Sequence, residues 1–69
     1  MKLSARNVFP GKVVAIKKGV TTANVKIEIA KGAVITSSIT MEAARELKLK
    51  VGDRAVAIIK ASEVIVGKE

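Results

Sequence analysis

Cysteine and histidine are both absent from the 69-residue chain, and Phe9 is its only aromatic residue. Without thiols there is no disulfide framework, and without thiolate or imidazole no zinc-type metal site can be assembled. The same absences remove the usual nucleophiles and bases, and the six acidic residues are scattered rather than paired on one strand, so the chain is not expected to be an enzyme. Ser62 lies close to Lys60, but two residues apart at a strand end is weak geometry for a Ser-Lys dyad. The stretch GKVVAIKKG, which begins at Gly11, lacks the spacing of a phosphate-cradling loop. A lone Phe9 cannot supply the row of stacking platforms that single-stranded nucleic acid uses, each worth about 1–3 kcal/mol per base. Lys2 and Arg6 are not followed by an apolar run long enough for a signal-peptide core, and nothing approaches the length of a membrane span. A cytoplasmic protein with no membrane partner is expected.

What the chain does contain is positive charge and aliphatic residues. Thirteen Lys and Arg against six Asp and Glu give a formal charge of +7, which attracts anionic partners without selecting among nucleic acid, acidic lipid and small oxyanions. A solvated lysine surface of no specific purpose has the same composition. Hydrophobic residues make up 49% of the chain, nearly all Val, Ile, Ala and Leu. A single domain of this size buries only about 60% of the surface its unfolded chain exposes. With disulfides and metals excluded, association with other chains is the remaining way to complete a core, so a homo-oligomer is expected.

A strand is predicted from Gly11 to Lys18, closed by Gly19, a residue that tolerates positive φ at a turn. From Thr22 to Ala30 the sequence alternates, with Ala23, Val25, Ile27 and Ile29 on one face as the predicted core. Lys31-Gly32 makes a turn into an antiparallel third strand, Val34 to Ile39, in which Ile35, Ser37 and Ile39 share a side. MEAARELKL, from Met41, changes to a helical period with Ala44, Leu47 and Lys48 on one face, Thr40 as its N-cap and Glu42 at the positive end of its dipole. After the turn at Val51-Gly52-Asp53, Arg54 to Lys60 is apolar on both faces and is expected to be covered on both sides. A short strand from Glu63 to Val66 follows, then a polar tail from Gly67 to Glu69. Five short strands with one short helix between the third and fourth predict an all-β fold, a small five-stranded barrel of the oligonucleotide/oligosaccharide-binding type. A split sheet closed by a neighbouring subunit gives the same pattern. The barrel type keeps nucleic acid as the alternative ligand, reduced by the missing aromatics to a weak, salt-sensitive phosphate interaction.

Two stretches offer what a tetrahedral dianion needs, converging donors and positive charge with no carboxylate among them. Ser4-Ala5-Arg6-Asn7 supplies a hydroxyl, a forked guanidinium, a side-chain amide and backbone amides. Ile59-Lys60-Ala61-Ser62 supplies an ammonium, a hydroxyl and free amides at a strand break. Taken alone, each also reads as ordinary surface, with Arg6 a solvated cation, Lys60 a strand end and Ser62 a turn residue.

SARN at Ser4, GKVVAIKKG at Gly11, TSSIT at Thr36 and AIIKASEVIV at Ala57 stand in the order and at the spacing of the molbindin family, which the chain resembles over nearly its whole length. The resemblance to this family, which includes the Mop or TOBE-type domains of molybdate-responsive regulators and transporter ATPases, implies subunits that exchange strands, commonly as a hexamer built as a trimer of dimers. It implies non-catalytic binding and storage of molybdate or tungstate at subunit interfaces, with no catalytic cofactor and no metal held directly by protein ligands. The oxyanion site it implies comprises Ser4, Ala5, Arg6, Thr40, Lys60, Ala61 and Ser62. Arg6 and Lys60 would neutralise the charge, Ser4 and Thr40 would donate hydroxyl protons, and the amides around Ala61 and Ser62 would complete the shell. Thr40 as a helix cap alone is the competing reading. Relatives can carry a second hydroxyl three residues after the threonine, where this chain has Ala43. A second anion site, on a symmetry axis, is assigned to Lys18, Gly19 and Val20 beside Lys17, residues that a bare solvated turn explains as well.

Overall fold

The computed structural model describes every residue from Met1 to Glu69. It contains β1 (Asn7–Lys18), β2 (Thr22–Ala30), β3 (Ala33–Thr40), α1 (Met41–Glu46), β4 (Arg54–Ile59) and a 3-10 turn at Ala61–Glu63. The strands form one antiparallel sheet in the order β3-β2-β1-β4. Its curl comes from β1, which serves two partners in succession. Residues 7–12 pair with β4, from Asn7↔Ile59 to Lys12↔Arg54, and residues 12–18 pair with β2, from Lys12↔Glu28 to Lys18↔Ala23. The handover falls at a register shift between Val13 and Ala15, a bulge that bends the strand and increases its twist. The Val13 N–H donates to the Asp53 carbonyl and the Gly52 N–H to the Val13 carbonyl, both at 2.8 Å, which ties the bend to the turn before β4.

β1 begins four residues before the predicted start, because Pro10 does not interrupt it. The Val13–Asp53 bond sets the antiparallel alternation, and Pro10↔Val56 falls at a pair that exchanges no ladder bonds, where a missing N–H costs nothing. Gly11 lies where β1 passes from β4 to β2. A Cβ there would stand 2.5 Å from the Glu28 carbonyl oxygen and 2.8 Å from Ile27 Cγ2. The turn glycines divide differently from the prediction: Gly32 and Gly52 take positive φ, whereas Gly19 does not and instead donates its N–H to the Thr22 carbonyl at 2.8 Å.

Seven residues are buried. Val13, Val25, Ile27 and Ala57 form one cluster inside the curl, and Ala23, Met41 and Ala44 form a second beneath α1. The predicted face of β2 points inward at Ala23, Val25 and Ile27, while Ile29 is only half-buried. Helix α1 is shorter than MEAARELKL suggested. The Thr40 Oγ1 accepts from the Ala43 N–H at 3.0 Å, and the helix ends with Lys48 at φ +52, its N–H donating to the Arg45 carbonyl and that of Leu49 to the Ala44 carbonyl. Leu47, expected on the inner face, is exposed because the helix stops short of it, and Leu49 packs on the core instead.

The predicted fifth strand is corrected. β4 ends at Ile59 rather than Lys60, the 3-10 turn follows, and residues 64–69 belong to no strand, with Ile65 94% and Val66 87% exposed. A strand exists only against an edge, and within one chain this segment meets none. The expectation that β4 is covered on both faces is corrected as well. Val56 and Ile58 are 42% and 43% exposed, beside their register partners Pro10 and Val8 on the outer face. In place of a five-stranded barrel, the single chain is a four-stranded curled sheet that is open between β3 and β4. A cavity of about 370 Å³, lined by Val25, Ile39, Leu49 and Val56 among others, marks the opening.

Candidate anion-binding site

Asn7↔Ile59 is the last pair of the β1–β4 ladder. Immediately outside it lie Ser4, Ala5 and Arg6 on one segment and Lys60, Ala61 and Ser62 on the other, so two stretches more than fifty residues apart in the chain emerge side by side. The Asn7 Nδ2 donates to the Ile59 carbonyl at 3.1 Å across the mouth of this pair. Lys60 is extended (φ −65, ψ 137), and the turn after it is closed by the Glu63 N–H donating to the Lys60 carbonyl at 2.9 Å and the Val64 N–H to the Ala61 carbonyl at 3.3 Å. The amides of Ala61 and Ser62, first in the turn, take no part in that bonding and remain as donors, as the opening amides of any helical turn do.

Ser4, Arg6, Lys60, Ala61 and Ser62 are exposed and Ala5 is half-buried. The inventory is a guanidinium, an ammonium, two hydroxyls and backbone amides, a set that offers proton donors to an anion. Glu63 is the carboxylate next in sequence and its N–H is already used by the turn. No group of three or more His, Cys, Asp or Glu side chains assembles to hold a bare metal ion. In one chain these donors face water, where the attraction between exposed charges is worth little. A second surface over them would exclude water and strengthen every contact.

Thr40 is elsewhere. It pairs with Thr22, and the Met41 N–H donates to the Thr21 carbonyl at 2.8 Å, which fixes the start of α1 beside the β1–β2 turn. That turn carries Lys18, Gly19 and Val20, all exposed. The predicted residues therefore fall into two groups at opposite ends of β1: Ser4, Ala5 and Arg6 with Lys60, Ala61 and Ser62 beyond its first residue, and Thr40 with Lys18, Gly19 and Val20 at its last. Thr40 pairs with Thr22 at the far end of the bent β1, and no strand pairing or hydrogen bond brings it to the first group within one chain. Its hydroxyl is engaged as the helix cap, accepting a proton while its own remains free to donate. Ala43 is the residue whose N–H that cap satisfies. The Asn7 side-chain amide, one of the donors of the SARN stretch, spends one of its two N–H groups on the Ile59 carbonyl.

The TOBE-domain sequence model matches residues 3–66, which takes in every block of the candidate site. The chain belongs to the TOBE-domain family. This TOBE domain is 51% identical over 69 residues, covering all of both chains, to a probable molybdenum-pterin-binding protein of Haemophilus influenzae. It superposes with a TM-score of 0.91 on a molybdate binding protein from Sporomusa ovata, at 35% identity, covering 99% of this chain and 100% of the other. It also superposes with a TM-score of 0.84 on the cytoplasmic molybdate-binding protein ModG with molybdate bound, at 46% identity, covering 88% of this chain and 43% of that one. The curled sheet with one short helix is thus the fold of these relatives.

Proposed function

We propose that this TOBE domain, a single domain over residues 1–69, binds molybdate, or the chemically similar tungstate, reversibly and without transforming it, as a cytoplasmic store. The observation that carries the reading is the pair of donor segments held together beyond the Asn7↔Ile59 pair. Relatives that bear the names of molybdenum-pterin-binding and molybdate-binding proteins support it, and the cytoplasmic ModG supports the compartment. No helix of the chain is long and apolar enough to cross a membrane.

Arg6 and Lys60 neutralise the dianion, Ser4 and Thr40 donate hydroxyl protons, and the amides around Ala61 and Ser62 complete the shell. Binding releases nothing and forms no covalent bond. A site built of donors leaves the proton of hydrogen phosphate without an acceptor, which disfavours phosphate near neutral pH. Sulfate carries no such proton and must be rejected by size.

The site lies at an interface in this reading, because Thr40 reaches it only from another subunit and because exposed charges need cover to bind tightly. The same association answers the unfinished core. The apolar segment Glu63 to Val66 of one subunit adds to the open seam of another, completing a five-stranded barrel, and copies assemble further as a trimer of dimers. Lys18, Gly19 and Val20 then meet their equivalents near a symmetry axis as a second anion site.

Titration with molybdate of Arg6→Ala and Lys60→Ala tests the assignment. Each is expected to weaken binding by about a hundredfold, as removal of one member of a covered charge contact does, with secondary structure and mass unchanged. Isotherms indistinguishable from the wild type for both would contradict it.

A further inference from the structure

Three side-chain hydrogen bonds are found in this chain, and two of them, at Thr40 and Asp53, join residues three apart. The third, from Asn7 Nδ2 to the Ile59 carbonyl, spans 52 residues and sits at the base of the candidate site. The geometry points to Asn7 as a positioning residue for that site: it locks the end of β1 to the end of β4, so that Arg6 and Lys60, each the next residue outward, stay side by side. The inference rests on the proposed molybdate site and deepens it.

A carbonyl oxygen only accepts, so the atom facing Ile59 must be the Nδ2 of the amide, and an aspartate in its place would set oxygen against oxygen. The bond is needed because ladder ends fray, and this end is followed on both sides by segments without ladder partners. The carbonyl has two lone pairs, so the Asn7 side chain can add its bond to that of the backbone at the same oxygen. Asn7 is half-buried while Arg6 and Lys60 are exposed, which suits an anchor beneath two solvent-facing cations. An ordered backbone at Lys60 also fixes the direction of the Ala61 and Ser62 amides, whose value to an anion depends on their alignment before it arrives.

Asn7→Ala and Asn7→Asp in the 69-residue chain test this, the second keeping the shape of the side chain and removing its donor. Nitrogen-15 relaxation of the protein without anion reads the amides of Ala61, Ser62 and Glu63, and titration with sodium molybdate reads affinity. Both variants are expected to mobilise those three amides and to leave β2 and β3 unchanged. Asn7→Ala should weaken molybdate binding about tenfold, the usual size of an effect relayed through a supporting contact. In a Lys60→Ala background the same substitution should weaken binding by clearly less than tenfold, because the ammonium it positions is gone while Arg6 and the amides of Ala61 and Ser62 remain. Amides as rigid as in the wild type, or an undiminished tenfold effect without Lys60, would overturn the inference. Molybdate binding insensitive to Arg6→Ala and Lys60→Ala would overturn the site itself. A site that needs Arg6 and Lys60 but keeps full affinity in Asn7→Ala would overturn the positioning role alone.

Discussion

Gly11 shows how a single position can govern the curl of the sheet. Its neighbours on β2 approach so closely that any Cβ meets the Glu28 carbonyl, and backbone cannot yield as a side-chain tip can. Gly11→Ala is therefore expected to destabilise the protein by about 1–3 kcal/mol, the cost of overpacking, read as a lower urea midpoint. Lys48 presents the opposite case. It ends α1 at φ +52, a conformation that costs a side-chain-bearing residue about 1 kcal/mol and a glycine almost nothing. Lys48→Gly should accordingly raise the urea midpoint, and a lowered midpoint would show that the lysine makes a compensating contact. Neither feature was legible in the sequence. The close approach at Gly11 requires two strands to meet there, and the helix end carries a lysine where glycine would have announced the turn.

At the scale of elements, periodicity located β2, β3 and the helix, because each buries one face against its neighbours and the pattern follows the burial. It missed the first four residues of β1, where Pro10 is accommodated at a pair without ladder bonds, a parity that depends on register with β4. The short strand expected from Glu63 to Val66 does not form in the single chain, where residues 64–66 pair with neither free edge of the sheet. Thr40 connects element to site. Thr40→Ala should lower the stability of the anion-free protein by about 1 kcal/mol through loss of the cap, whereas Thr40→Asn should preserve it. Equal losses in both variants would mean that the cap contributes nothing.

In the whole molecule, seven buried residues are a slender core, and two coherent sets stand out among the apolar groups left outside. One is the outer strip of Val8, Pro10, Val56 and Ile58, and the other is the tail of Val64, Ile65 and Val66. Both are what association would cover. Thermal stability should therefore fall on dilution, and a chain ending after Ser62 should lose assembly and stability together, as read by light scattering and calorimetry. A truncated chain that keeps its number of subunits would refute the exchanged tail. Part of the candidate site was legible from the chain: Ser4, Arg6, Lys60 and Ser62 carry their chemistry in their residue types, and β1–β4 pairing places their two segments at one end of the ladder. The distance of Thr40 from them was not, because it depends on which end of β1 each element reaches.

Isothermal titration of the assembled wild-type protein with molybdate, with sulfate and phosphate as competitors and mass measured on the same sample, tests the central claim most directly. The account predicts tight binding by a multi-subunit particle that neither competitor displaces at comparable concentration. Absence of binding by an intact assembly, or displacement by phosphate as readily as by molybdate, would contradict it.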